Sequence, residues 1–416
     1  MDRKVLILGA GCFGVSTAFH LLKRGFKDVT IIERSGNFPA KDASSNDINR
    51  IVRTSYSDPF YAKLAKEAIQ SWRKDKDIWE DSYHESGVLV VLGTSDYANE
   101  AYLNDKQQGL RIKEFSQTSD IHESFPLLSL SNSETTAYLN YDGGWVDAGR
   151  ATFLLTKKVV SLGAKLILGK RATRLIRKDG NTEAVELDDG TIVEASLVVI
   201  AAGPWTPSIL PELGYEDTSV ATGQCVAMVQ LSAEEAAQYR GVPVILDFGA
   251  AFYCFPPTDG NVVKFAIHAP GITHTVGKVS VPRTVITHPN DGLFIPKTYA
   301  QRLRDGLAAV YPDLAKKEFS NTRLCWYNDS PDGDWIIGRH STDQSIMFAT
   351  GGSGHAFKFL PVIGSLVADA IQGTLDPSLE RKFAFKRDIT HVDGSRDGIG
   401  MVREELNVDE LWGPKK

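Results

Sequence analysis

Four groups of residues have the types and spacing to do chemistry. Gly9-Ala10-Gly11-Cys12-Phe13-Gly14 spaces its glycines as a turn around a pyrophosphate requires. Gly9 permits the tight turn, Gly11 lets the backbone approach the phosphates, and Gly14 lets the next helix pack closely and aim its free N–H groups at the anion. Arg50 and Arg53 could grip an anion if their spacing of three lies on a helical turn; a solvated charge pair is the plainer alternative. Lys264 and His268 are four apart on an expected strand and so share one face, as a site edge or as a solvent-facing pair. Gly351-Gly352-Ser353-Gly354-His355-Ala356-Phe357-Lys358 forms a second glycine turn before a helical pattern, whose dipole, with Lys358, would favour an electron-rich group.

The elements that position these groups follow from periodicity. Val5-Leu6-Ile7-Leu8 is a strand, and Val15, Ala18, Phe19 and Leu22 recur at helical spacing after the glycines. A second strand, Val29 to Ile32, ends in Glu33, where a carboxylate can accept from ribose hydroxyls and repel a 2′-phosphate. This context favours a dinucleotide other than NADP over an ordinary βαβ unit. Ser35 to Asp47 reads as an irregular loop across the nucleotide, Pro59 to Trp79 as an amphipathic helix and Gly87 to Gly93 as a strand between glycines. Ser133 to Asp147 reads as loop, and Ala151 to Leu162 as a helix closed by Gly163.

Short strands joined by Asp-Gly turns run from Ala172 to Glu194, and a buried strand, Leu197 to Trp205, ends in Ala201-Ala202-Gly203, a wall low enough for a bulky ligand. Strands continue from Thr222 to His268, a helix spans Pro296 to Val310, and Ile346 opens the last strand, glycine turn and helix. Nucleotide-type pieces at the start, middle and end imply a discontinuous domain with a mostly β unit inserted.

Composition narrows the function. The 416 residues exceed one ordinary domain, and 42% hydrophobic with 24% charged residues suits a soluble globular protein. A net charge of −6 gives no basic footprint for nucleic acid. No apolar stretch approaches the ~20 residues of a membrane span. The first strand starts too near Met1 for a signal peptide, and Pro414-Lys415-Lys416 is not a Ser-Lys-Leu type peroxisomal address, so a cytoplasmic location is expected. Cys12, Cys225, Cys254 and Cys325 lack metal-like or disulfide-framework spacing.

Gly9 to Gly14, Ala201-Ala202-Gly203-Pro204-Trp205 and Ser353-Gly354-His355-Ala356-Phe357-Lys358 together resemble the monomeric sarcosine oxidase family of flavoproteins, which includes pipecolate, saccharopine and fructosyl amino acid oxidases. The likeness runs from residue 4 to about residue 385, and Gly-His-x-Phe-Lys is its most discriminating segment. It implies an α/β fold: a Rossmann-like FAD-binding domain (1–82, 147–220 and 325–388), an inserted α+β substrate domain dominated by an antiparallel sheet (83–146 and 221–324), and a tail, 389–416. It also implies a monomer.

The resemblance further implies FAD, attached covalently through Cys325. The cofactor would be held by Gly9, Gly11, Cys12, Phe13, Gly14, Glu33, Arg34, Ser45, Asn46, Ala202, Gly203, Trp205, Gly352, Gly354, His355, Phe357 and Lys358. Lys264 matches the lysine that activates oxygen, and Arg50 matches an arginine kept near the flavin. Arg53 and Lys358 match the pair that grips the substrate carboxylate. Tyr253, His268 and Tyr327 match groups lining the sarcosine pocket, and the Gly354 carbonyl would accept from the amine. Fructosyl oxidases carry an acid at the position of His268 and lack an arginine at that of Arg53. Asn46 departs from the histidine of the bacterial sarcosine enzymes.

The expected function is FAD-dependent oxidation by molecular oxygen of a secondary α-amino acid, giving an imine that hydrolyses and hydrogen peroxide. Alternatives are a fructosyl amino acid oxidase, a flavin-dependent amine dehydrogenase with another acceptor, a nicotinamide-dependent dehydrogenase and a non-catalytic nucleotide-binding protein.

Overall fold

The computed structural model describes residues 3–130, 135–215, 217–396 and 400–414. Two sheets organise it. The first has six strands in the order Ile336–Arg339, Ile346–Thr350, Leu197–Ile200, Lys4–Leu8, Asp28–Glu33, Lys165–Leu168, all parallel except the first. Its four inner strands are buried on both faces, as their continuous apolar runs require, while the edge strand Lys165–Leu168 is partly exposed. Along Lys4–Leu8, Val5 and Ile7 face the helices Cys12–Lys23, Ala148–Ser161 and Ile363–Gln372. Leu6 and Leu8 face the small antiparallel sheet Ala172–Lys178, Asn181–Leu187, Ile192–Glu194.

The larger, ten-stranded sheet is centred on Val220–Gln230, which pairs antiparallel with Val262–Ile267 on one side and Asn321–Asp329 on the other. Alternation decides which side chains meet the first unit. Val263, Phe265 and Ile267 pack under the helix Lys297–Val310, whereas Lys264 and Ala266 point the other way. The same parity turns Leu324 and Trp326 into the outer core and Cys325 inward.

Several expected boundaries move. The helix after Pro59 breaks at Asp75 into Pro59–Lys74 and Lys76–Trp79. The stretch read as loop contains the strands Ala137–Asn140 and Gly144–Val146, whose glycines and short length masked the alternation, and its first residues, 133 and 134, lie outside the described ones. The next helix begins at Ala148 because the Asp147 side chain caps it by accepting from Arg150 N. Arg50 to Val52 is a strand, so the two arginines are not helical neighbours.

The expected division at 325 falls inside the strand Asn321–Asp329. The expected tail is built into the inserted unit: Glu404–Glu405 pairs with Ile272–Thr273, and Leu411–Trp412 with Ile295–Pro296. Residues 415 and 416 lie outside the described range. Among the described residues no helix is long and apolar enough to cross a membrane, and no group of His, Cys, Asp and Glu could hold a metal ion.

Close helix packing makes one glycine decisive for stability. A Cβ on Gly364 would collide with the backbone carbonyl of Ser16 on the glycine-turn helix, whereas one on Gly241 would meet open space. Gly364→Ala is expected to destabilise the protein by about 1–3 kcal/mol and Gly241→Ala to have little effect. Thermal unfolding of the two variants checks this, and equal midpoints would contradict it.

Candidate functional site

The first strand ends at Leu8 and the chain turns through Gly9, which has a positive φ of 113° and lies where a Cβ would strike the Ala201 carbonyl. A Cβ on Gly14 would strike the Gly9 carbonyl, so only glycine lets the helix start this close to the strand. Gly11 is the N-cap residue; it offers no side-chain cap, and the first turn carries no acid. Cys12 N donates to Ser45 Oγ (2.9 Å), and the rest of this N-terminus faces a groove of about 570 Å³. Glu33, Arg34, Ser45, Ala202, Gly203, Trp205, Gly352 and Phe357 are on the groove wall with Gly9, Gly11, Cys12 and Phe13. Glu33 accepts from Ala10 N and Ser35 N, both at 3.0 Å, and Arg34 lies over the Trp205 ring at 4.0 Å while pairing with Asp42 at 2.6 Å. A helix N-terminus open to the groove beyond its bond to Ser45, an acid at the end of the second strand and walls of small residues fit a dinucleotide.

A second cavity, of about 170 Å³, meets this groove at Arg50, Tyr327, Gly354 and Phe357. Arg53, Tyr253, His268, His355 and Lys358 also line it. Arg53 has no carboxylate partner among the described residues; it lies over the Tyr56 ring at 4.6 Å, and its Nη1 is buried without a hydrogen-bond partner. Lys358 donates to Tyr56 Oη (2.7 Å) and His355 O (2.9 Å). Burial, and then the charge of Arg53, push its pKa well below the ordinary lysine value. Burial does the same to His268, with Arg396 and Arg53 adding to it.

Behind Arg50 lies a buried ion-pair cluster. Asp47 is shared between Arg50 and Lys264, the latter at 3.1 Å, and Lys264 Nζ also donates to Asn49 O at 2.5 Å. Burial alone would raise the Asp47 carboxyl, but Arg50, Lys264 and Arg323 outweigh it and hold it well below the usual carboxylate range. Burial pushes Lys264 down to about 7, against the opposing pull of Asp47. Cys325 Sγ sits 3.0 Å from Arg50 Nη2.

The expected residues therefore converge, with exceptions. His355 and Lys358 line the second cavity rather than the nucleotide groove. Asn46 is not on the groove wall; its Nδ2 turns back to Ala40 O (3.0 Å), because the loop needs its own carbonyls satisfied. Gly14 acts in packing. Cys325 and Lys264 line neither cavity and are reached through Arg50. Lys264 is fully buried, which overturns the solvent-facing alternative, and its ion pair with Asp47 is what makes that burial tolerable.

Sequence reasoning missed Asp47, Tyr56, Tyr97 and the segment His391–Ser395, all at or beside these cavities. Asp47 carried a signal, being three residues before Arg50, but loop acids are common. The other groups come from elements that only tertiary folding brings in.

Residues 4–370 match the family model for FAD dependent oxidoreductases of the DAO type. The chain is 30% identical to L-saccharopine oxidase of Schizosaccharomyces pombe, covering 93% of this chain and 94% of that protein. It is 28% identical to monomeric sarcosine oxidase of Streptomyces avermitilis over 89% and 94% of the two. Among solved structures, a thermally stable mutant of fructosyl peptide oxidase superposes with a TM-score of 0.85 at 26% identity, covering 100% of this chain and 99% of that one. Fructosamine oxidase (Amadoriase II) of Aspergillus fumigatus gives 0.83 at 25% identity, covering 100% and 97%. With the glycine turn, the acid at the end of the second strand and the groove between them, this match shows that the chain belongs to the DAO family of FAD-dependent oxidoreductases.

Proposed function

We propose that the protein is an oxidase of a secondary α-amino acid of the sarcosine, N-methyl amino acid, pipecolate or saccharopine type. The observation that carries this is the pair Arg53 and Lys358, buried basic groups without an ion-paired carboxylate among the described residues, in a cavity continuous with the dinucleotide groove; an arriving carboxylate would restore to Lys358 the charge that burial disfavours. Such a pair suits an α-carboxylate, taken up in a charge-assisted clamp that fixes the adjoining carbon and nitrogen. The groove lined by Gly9, Gly11, Glu33, Ala202 and Gly352 would hold FAD, which would supply the two-electron redox chemistry between the carbon beside the amine and molecular oxygen, with hydrogen peroxide as the reduced product.

The chain's own residues do the rest. The Gly354 carbonyl would accept from the substrate amine, and Tyr253, Tyr327 and His268 bound the pocket, with His268 held neutral by burial. A histidine there, rather than an acid, disfavours a sugar substituent. The Lys264 ammonium, steadied by Asp47, would stabilise charge that oxygen gains. Cys325 Sγ lies 3.0 Å from the Arg50 guanidinium, which itself lines the dinucleotide groove, and this nearness supports Cys325 as the covalent flavin attachment.

The reading is tested by measuring peroxide in air with sarcosine, L-pipecolate, L-saccharopine and a fructosyl amino acid. Stoichiometric peroxide from a secondary amino acid is expected. Turnover only with an artificial acceptor would make the protein a dehydrogenase, and turnover of the fructosyl compound alone would make it a deglycating oxidase.

Acid precipitation should leave the wild-type pellet yellow and the Cys325→Ser pellet colourless; wild-type flavin released to the supernatant would contradict covalent attachment. The oxygen half-reaction should also depend on pH. Lys264 is cationic below about 7 and neutral above it, so flavin reoxidation should slow as pH rises through that value. Asp47→Asn removes an influence that favours the ammonium and should move the inflection to lower pH. Stopped-flow reoxidation reads both effects; a flat profile in both proteins would contradict the role of Lys264.

A further inference from the structure

The amine cavity is walled on one side by the segment His391–Ser395. Its flanks are fixed. Arg387 makes a two-pronged ion pair with Asp332 (2.7 and 2.6 Å), and Arg396 makes another with Asp329 (2.8 and 3.1 Å) while donating to Ser353 O (2.6 Å). Ser395 Oγ lies 3.2 Å from His268 Nε2, and beyond the strap the chain joins the large sheet at Glu404–Glu405. These contacts make the strap part of the pocket wall.

One carboxylate on this wall differs from the others. Asp58 and Asp334 each pair with Lys382 (2.8 and 3.0 Å), and Asp332 pairs with Arg387. Asp393 has no cation within ion-pair distance among the described residues. Its oxygens accept from Ser395 N (3.1 Å) and Ser395 Oγ (2.6 Å) on its own strap. Arg396 and Lys358 feel its charge but direct their hydrogen bonds elsewhere, Arg396 to Asp329 and Lys358 to the Tyr56 hydroxyl and the His355 carbonyl. A half-buried carboxylate in this position has acceptor capacity to spare for a charged donor.

Among the described residues the cavity thus offers two basic groups without ion-paired carboxylates and one carboxylate that no cation contacts, the complement of a molecule with a carboxylate beside its reacting amine and an ammonium farther along. Resting on the secondary amino acid reading above, we propose that Asp393 is a specificity-determining residue that takes a terminal ammonium on the N-substituent of the substrate. The substrate class is then a secondary α-amino acid whose N-substituent ends in a cation.

The test compares isosteric N-alkylglycines in anaerobic flavin reduction by the holoenzyme: N-(5-aminopentyl)glycine, N-(5-hydroxypentyl)glycine and N-hexylglycine, with sarcosine as reference. Wild type should favour the aminopentyl compound over the hexyl compound by about tenfold or more in the limiting reduction rate divided by the dissociation constant, as a charge-assisted hydrogen bond implies, carried mainly by the dissociation constant. Asp393→Asn should collapse that ratio towards one, and Asp393→Glu should retain part of it. A wild-type preference for the hexyl or hydroxypentyl compound, no preference, or an Asn variant that slows all substrates alike would overturn the assignment. If sarcosine reduces the flavin while the longer amines do not discriminate, the inference fails alone. If no secondary amine reduces it, the proposed function fails and takes the inference with it.

Discussion

Arg50, Lys264, Arg53 and Lys358 are withdrawn from bulk water in one region, and Asp47 is the buried carboxylate that two of them share. Uncompensated buried charge costs several kcal/mol per ion, so such an arrangement persists where paired groups and aromatic faces offset the cost or where a ligand supplies the missing anion. Arg50 and Lys264 are settled by Asp47. Arg53 and Lys358 rest on the Tyr56 ring and hydroxyl, a weaker substitute, which leaves them able to gain from a carboxylate. The function follows from this imbalance between cations and counter-ions.

The two sheets exist to hold that imbalance in place. The nucleotide unit brings its anion-binding helix end to one side of Arg50. The larger sheet delivers Lys264 and Cys325 from strands on either side of Val220–Gln230 to the other side. A slip of one residue in either strand would turn these side chains into the outer core, where Phe265 and Trp326 now pack.

The first unit was legible because its signals are local. A strand, a glycine turn and a helix within twenty-odd residues carry their geometry in sequence spacing, and Glu33 follows from the same unit. The convergence of Arg53, His268 and Lys358 came from resemblance; the residues alone left Arg53 and His268 as plausible solvent-facing groups and put Lys358 only near a helix dipole. Spacing misled at Arg50 and Arg53, where three residues on a strand are not three on a helix. It said nothing of Asp393 or Arg396, because a strap held by long-range ion pairs has no internal period. Asn46 shows the converse: a position taken from family pattern can be turned by local backbone demand to a different task.

The most direct test of the account asks whether the cationic pair binds a carboxylate apart from any chemistry. Methoxyacetate, a sarcosine analogue with oxygen in place of the amine, can be titrated into the holoenzyme while the visible flavin spectrum is recorded. The account predicts saturable perturbation in wild type, with binding weakened by about tenfold or more in Arg53→Met and in Lys358→Met, the scale of a lost charge-assisted hydrogen bond. Undiminished binding in both variants would show that the carboxylate is held elsewhere and would contradict the central claim.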